Sequence, residues 1–181
     1  MRPPKVETSL FAGKSSMLAG LTELDGGAIN VQDKTVWVTG ASSGIGAALA
    51  QEFARRGARL VLSARNQQKL DEVRSSCIRP EQHQVVPLDL GDSETIEQAA
   101  AQVEGMVPAV DLLVHCGGIS QRSKALETQI EVTRRIMEVN FFGTVLLTQR
   151  MLPAMLQRGS GRIVVISSLV GNFGTPLRSS Y

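Results

Sequence analysis

Residues 39–46 read Thr-Gly-Ala-Ser-Ser-Gly-Ile-Gly, a spacing of glycines suited to holding phosphate. Gly40 can take a tight backbone conformation, Gly44 lets the chain come close to a pyrophosphate, and Gly46 lets a following helix pack near a preceding strand. Backbone amides among Ser42, Ser43, Gly44, Ile45 and Gly46 would face the anion at the opening of that helix, aided by its dipole. The alternative is a glycine-rich turn that binds nothing. Glycine at all three positions, with two hydroxyls between them, favours a ligand.

An NAD-selective site places an acidic residue about twenty residues further on, where it accepts the ribose 2′-hydroxyl. Here the chain reads Ser63-Ala64-Arg65-Asn66. A guanidinium cannot accept that bond, but it can hold a 2′-phosphate through two charge-assisted ones. Arg65 therefore points to NADP(H), against the alternative of a solvated arginine at a helix start, while Asn66 either assists or caps the helix. Asp89, with Leu90 behind it, follows the apolar run Val85-Val86-Pro87-Leu88. It falls at the carboxyl end of a strand, where ligands of open α/β sheets gather; an adenine contact and a helix-opening turn are both open to it. His115 and Cys116 are adjacent, but a metal needs three or four convergent donors. The only other histidine is His83, so no metal is expected.

The elements that would position these groups alternate strand and helix, the pattern of βα units around a parallel sheet. Strands are predicted at Thr35–Thr39, Arg59–Ser63, Gln84–Leu88, Asp111–His115 and Arg162–Ser167. Between them fall helices over Gly44–Arg56, over Gln67–Ser76, from a cap at Asp92 or Ser93, and over Glu127–Gln149 with Pro153 just beyond. The fold class expected is α/β: a Rossmann-like, doubly wound parallel sheet of five strands, incomplete at its C-terminal edge. Residues 33–181 form this dinucleotide-binding domain; residues 1–32, rich in Gly and Pro without sustained periodicity, read as a flexible extension.

The whole composition agrees with one core and one domain: 43% of residues are apolar in a chain of 181. A formal charge of +2 without a dense basic block, and 4% aromatic residues, make nucleic acid an unlikely partner. Two distant cysteines, Cys77 and Cys116, imply neither a disulfide framework nor a zinc knuckle. No apolar run reaches the length of a membrane span. The expected setting is cytoplasmic, with organelle targeting by residues 1–32 left open.

Taken in order, these residues resemble the short-chain dehydrogenase/reductase family, whose T-G-x-x-x-G-x-G motif is matched by Thr39 to Gly46. The family also carries an Asn on the long fourth helix, a Ser ending the fifth strand and a Tyr thirteen residues later; Asn140, Ser168 and Tyr181 fit. The resemblance runs from about Lys34 to Tyr181. Within it, Gly117 to Ser123 is similar to the branch containing the member-7 type of dehydrogenase/reductase, associated with retinoid, steroid and other carbonyl substrates. One departure stands out: the family's Asn-Asn-Ala-Gly is replaced by His115-Cys116-Gly117-Gly118. The backbone at Gly117 can still border the adenosine, while the side-chain bonds of the asparagines must be remade.

The resemblance implies an NADP(H)-dependent oxidoreductase that interconverts a small-molecule carbonyl and its alcohol, with Tyr181 as acid/base and Ser168 polarising the oxygen. It implies that Asn140 bends the long helix and holds a water in a proton relay to a Lys four residues after the Tyr. That position falls past Tyr181. The expectation is therefore a fragment of a longer, homo-oligomeric protein, inactive as it stands, with its fifth strand at an open sheet edge. Two rival classes are an NADP(H)-binding sensor or scaffold without turnover, and a methyltransferase, the poorer because Arg65 replaces the acidic residue its ribose site would want.

Overall fold

The computed structural model describes residues 5–9, 29–168, 170, 176–178 and 180. Six strands form one sheet: β1 (Lys5–Ser9), β2 (Thr35–Thr39), β3 (Arg59–Ser63), β4 (Gln84–Val85), β5 (Leu112–His115) and β6 (Arg162–Ile166). Their order is β1-β6-β5-β2-β3-β4, and every pairing is parallel. The strand order runs outward from β2 in one direction through β3 and β4, then in the other through β5 and β6. The crevice between β2 and β5 is thus the switch point at which such sheets bind ligands.

The strands bury both faces because their side chains alternate. Val36, Val38, Leu60, Leu62, Leu112 and Val114 pack on one side with Leu49, Ala50 and Phe53 of α1 (Gly44–Arg55) and Leu70 of α2 (Gln67–Ser76). Trp37, Val61, Leu113 and Ile163 pack on the other with Ile96, Ala99, Ala100 and Val103 of α3 (Ser93–Met106). That second layer also holds Leu147, Met151 and Met155 of a long C-terminal helix. A period of two in the strands and about 3.6 in the helices is what two helical layers around a parallel sheet require.

Three expectations are corrected. The predicted helix over Glu127–Gln149 is a succession: a 3₁₀ turn (Ala125–Glu127), α4 (Ile130–Met137), a π turn (Glu138–Phe142) and α5 (Gly143–Arg158). Pro153 lies inside α5 rather than beyond it. A proline removes one amide donor, and here its side is exposed while Met151 and Met155 on either side are buried, so packing carries the helix through. The helix stops instead at Gly159, with φ 64°, whose amide donates to the Leu156 carbonyl at 3.0 Å while Ser160 donates to Met155 at 3.1 Å.

The other two corrections concern strands. The β4 ladder is regular only over Gln84–Val85, although Val86 and Leu88 still donate to Leu62 and Ala64 at 3.0 and 3.1 Å. The strand expected at an open edge, β6, is flanked by β1, paired from Lys5↔Arg162 to Ser9↔Ile166. Part of the segment read as a flexible extension is thus a strand of the sheet.

Candidate nucleotide cleft and active site

The register sets Thr39, Ser63 and His115 level at the carboxyl ends of β2, β3 and β5. Above them opens a cleft of about 1150 Å³. The residues singled out in sequence for nucleotide binding all line it: Gly40, Ser42 to Gly46, Arg65, Asn66, Asp89, Leu90 and Gly117.

The glycine turn is built as tightly as its spacing suggests. Gly40 has φ 66°, and a Cβ there would lie 2.7 Å from the Cys116 and Gly117 backbone. A Cβ on Gly46 would fall on the Gly40 carbonyl, so any larger residue would push α1 off β2. Ser43 is the N-cap of α1 but makes no side-chain cap bond, and the first turn holds no acidic residue. The opening amides of the helix therefore keep their capacity for an anion. Thr39 ties the floor together: its Oγ1 accepts from the Cys116 and Gly117 amides, each at 3.3 Å.

Arg65 is exposed on the rim and, among the described residues, has no ion-pair or hydrogen-bond partner. Asn66 caps α2, its Oδ1 accepting from the Lys69 amide at 3.0 Å. Lys69 also lines the cleft, and among the described residues its ammonium has no partner. Sequence reasoning passed over Lys69; its place one helical turn after Arg65 was the available signal. Both cations lie at the positive end of the α2 dipole, whose first turn has no acidic residue, a placement that an incoming anion would relieve.

Asp89 does more than open a helix. Its Oδ1 accepts from the Gly91 amide at 2.8 Å, and both oxygens accept from Arg135 Nη2, at 3.2 and 3.0 Å. The cap of α3 is Asp92, whose Oδ1 accepts from the Glu94 amide at 2.9 Å and the Thr95 amide at 3.4 Å.

Asn140 sits in the π turn, where the helix is locally unwound. Its amide group is engaged with the backbone of the loop after β5: Oδ1 accepts from the Ile119 amide at 2.8 Å and Nδ2 donates to the Ile119 carbonyl at 2.9 Å. Ser168 is half-buried just past β6, its Oγ accepting from the Val170 amide at 3.4 Å, while Ser167 is exposed. Tyr181 lies outside the described residues. Neither Asn140 nor Ser168 lines the cleft itself, although Ile119, to which Asn140 is bonded, does.

The substituted pair is chemically quiet. His115 is buried, its Nε2 hydrogen-bonded with Thr148 Oγ1 at 3.0 Å, and Nδ1 has no partner among the described residues. Burial lowers its pKa to about 4, so the imidazole is neutral at pH 7. Burial pushes the Cys116 thiol up to about 12, which keeps it protonated and a poor nucleophile. His83 is spent on structure: Nδ1 accepts from the Leu60 amide at 3.2 Å, leaving Nε2–H to donate to Ile78 O at 3.0 Å. Among the described residues no group of histidine, cysteine and acidic side chains could hold a metal, and no helix is long and apolar enough to cross a membrane.

The profile of the short chain dehydrogenase family matches residues 34–181. The chain is 42% identical over 154 residues to the human dehydrogenase/reductase SDR family member 7, covering 82% of this chain and 45% of that protein. It is 42% identical over 162 residues to member 7B of Danio rerio, covering 84% of this chain and 52% of the relative. A solved short-chain dehydrogenase from Streptomyces avermitilis superposes with a TM-score of 0.77 at 35% identity, over 83% of this chain and 55% of that one. The chain spans about half the length of the curated relatives it matches.

Proposed function

Since the chain belongs to the short-chain dehydrogenase family, we propose that its glycine-lined cleft takes NADP(H) and serves reversible reduction of a carbonyl to an alcohol. The observation that carries the cofactor choice is Arg65, an unpartnered guanidinium on the rim of the cleft that holds the glycine turn. The cleft fits a dinucleotide in other respects too: close-packed glycines where a Cβ would collide, uncapped amides at the α1 opening, and no acidic side chain at the end of β3.

In this reading the α1 amides hold the pyrophosphate, while Arg65 and Lys69 hold the 2′-phosphate. Asp89, Leu90 and Gly117 border the adenosine. A bound nicotinamide would supply the hydride for the carbonyl carbon, or take it from the carbinol carbon in the reverse direction. Ser168 donates a hydrogen bond to the carbonyl oxygen, and Tyr181 gives that oxygen a proton as negative charge develops on it. A free phenol titrates near 10, so Tyr181 needs a neighbouring positive charge to exchange its proton near neutrality. Asn140 serves by holding the Ile119 loop against the helix that carries it.

Calorimetric titration of the intact protein with NADPH and NADH tests the reading. NADPH is expected to bind tighter, and Arg65→Ala is expected to weaken NADPH by about 10- to 100-fold with little change for NADH, the loss of a charge-assisted contact. Equal affinity for both, unaffected by the substitution, would overturn the NADP(H) assignment. NADPH binding without oxidation across a panel of aldehydes and ketones would favour a sensor or scaffold instead.

A further inference from the structure

The chain just before Tyr181 is tied by hydrogen bonds to two other parts of the fold. The Ser123 amide, in the loop after β5, donates to the Leu177 carbonyl at 3.0 Å, and Ser123 pairs with Arg178 as an isolated parallel bridge. The Arg178 guanidinium donates to Ser120 Oγ in the same loop. Beyond them, Thr133 of α4 meets Ser180 hydroxyl to hydroxyl at 2.7 Å.

Packing does little to hold this segment, because Pro176, Leu177 and Arg178 are all exposed. Leu177 also has φ 65°, a left-handed conformation that side chains seldom adopt and that persists where neighbours over-determine it. The anchors are themselves fixed. Ser123 Oγ is hydrogen-bonded with Thr128 Oγ1 at 2.7 Å, and Thr133 shares with Ile136, Val139 and Asn140 the one face of this helical run that is not exposed. That face therefore holds two segments at once: Ile119 through Asn140 and Ser180 through Thr133. The contacts of Ser123 end at Arg178, so among the described residues Thr133 is what holds Ser180 itself. Ser180 carries Tyr181 by a peptide bond, which keeps their Cα atoms about 3.8 Å apart.

From this we infer that Thr133 is a positioning residue: its hydroxyl fixes Ser180, and with it the backbone from which Tyr181 reaches the substrate oxygen. The inference rests on Tyr181 being the acid of the proposed reaction and goes beyond that reading by naming what aims the side chain.

The test compares the intact wild-type protein with Thr133→Val, which removes the hydroxyl at nearly equal volume, and Thr133→Ser, which keeps it. Thr133→Val is expected to lower kcat for carbonyl reduction by about tenfold, within what a misplaced catalytic group costs, with the affinity for NADPH by calorimetry unchanged. Its solvent deuterium effect on kcat should grow, because proton transfer from Tyr181 becomes the slow step. Thr133→Ser should restore both readouts. Ser180→Ala removes the other hydroxyl and should match Thr133→Val, so it serves if that variant does not fold. The double variant should be no worse than either single one, since all three lack the same bond.

Wild-type kcat in Thr133→Val overturns the inference. So does a loss that Thr133→Ser fails to restore, or one that leaves the isotope effect where it was, as a merely structural role would. A wild type without turnover, or a Tyr181→Phe variant that keeps it, defeats the functional reading and takes this inference with it.

Discussion

Asn140 is a side chain whose family position was readable but whose partners were not. The two bonds to Ile119 satisfy the amide and the carbonyl of one half-buried loop residue. Asn140→Ala leaves both without a side-chain partner and should cost about 2 kcal/mol, since each bond contributes on the order of 1 kcal/mol. Asn140→Asp should be at least as damaging at pH 7, because a carboxylate oxygen then faces the Ile119 carbonyl. It should recover partly at a pH low enough to protonate that oxygen into a donor. Urea denaturation of the three proteins at two pH values checks both statements. The same contrast explains what could be read at this scale. The glycine turn and Arg65 act through backbone shape and charge that a short stretch of sequence carries whole, whereas Arg135 with Asp89 is a pair separated by 46 residues. Nothing local to either residue names the other.

At the scale of elements, strands were legible wherever alternating apolar residues had two layers to face, and helices wherever a single face was apolar. The errors fell where packing overruled a local signal. Pro153 reads as a stop, yet α5 continues because the residues on either side are anchored in the core and the freed Gln149 carbonyl lies on an exposed face. Pro153→Ala should therefore restore one helical hydrogen bond without a new clash. We expect a gain of about 1 to 3 kcal/mol, up to the difference between the two residues in a helix interior, read as a higher urea midpoint with an unchanged slope. A fall in stability would mean that the proline itself is needed for Met151 and Met155 to seat. The β1 strand was missed for a different reason: Lys-Val-Glu-Thr-Ser has no run of apolar residues, and backbone pairing to the side of β6 is available to nearly any sequence.

At the scale of the whole molecule, two buried neutral histidines bind the fold's stability to pH. Both have their pKa lowered chiefly by burial, His115 to about 4 and His83 by a smaller shift. In the unfolded chain each titrates near 6.5. Above that pH neither state takes up a proton and the stability is full. As pH falls below 6.5 the unfolded chain binds protons that the folded one refuses, so stability drops, and for His115 the loss continues until about pH 4. Between pH 7 and pH 5 His115 alone should therefore cost on the order of 2 kcal/mol, from 1.36 kcal/mol per unit over the span below 6.5. Carboxylates held low by ion pairs, such as Glu52 with Arg55 and Arg56, push the same way but titrate mainly below pH 5. The variant that separates the causes is His115→Asn, which places an untitratable amide beside Thr148 and the unpartnered Nδ1 position. Its unfolding free energy should change less between pH 7 and 5 than that of the wild type, by that same amount. An identical pH dependence in both proteins would mean that the imidazole is hydrated in the fold and titrates as it does in the unfolded chain.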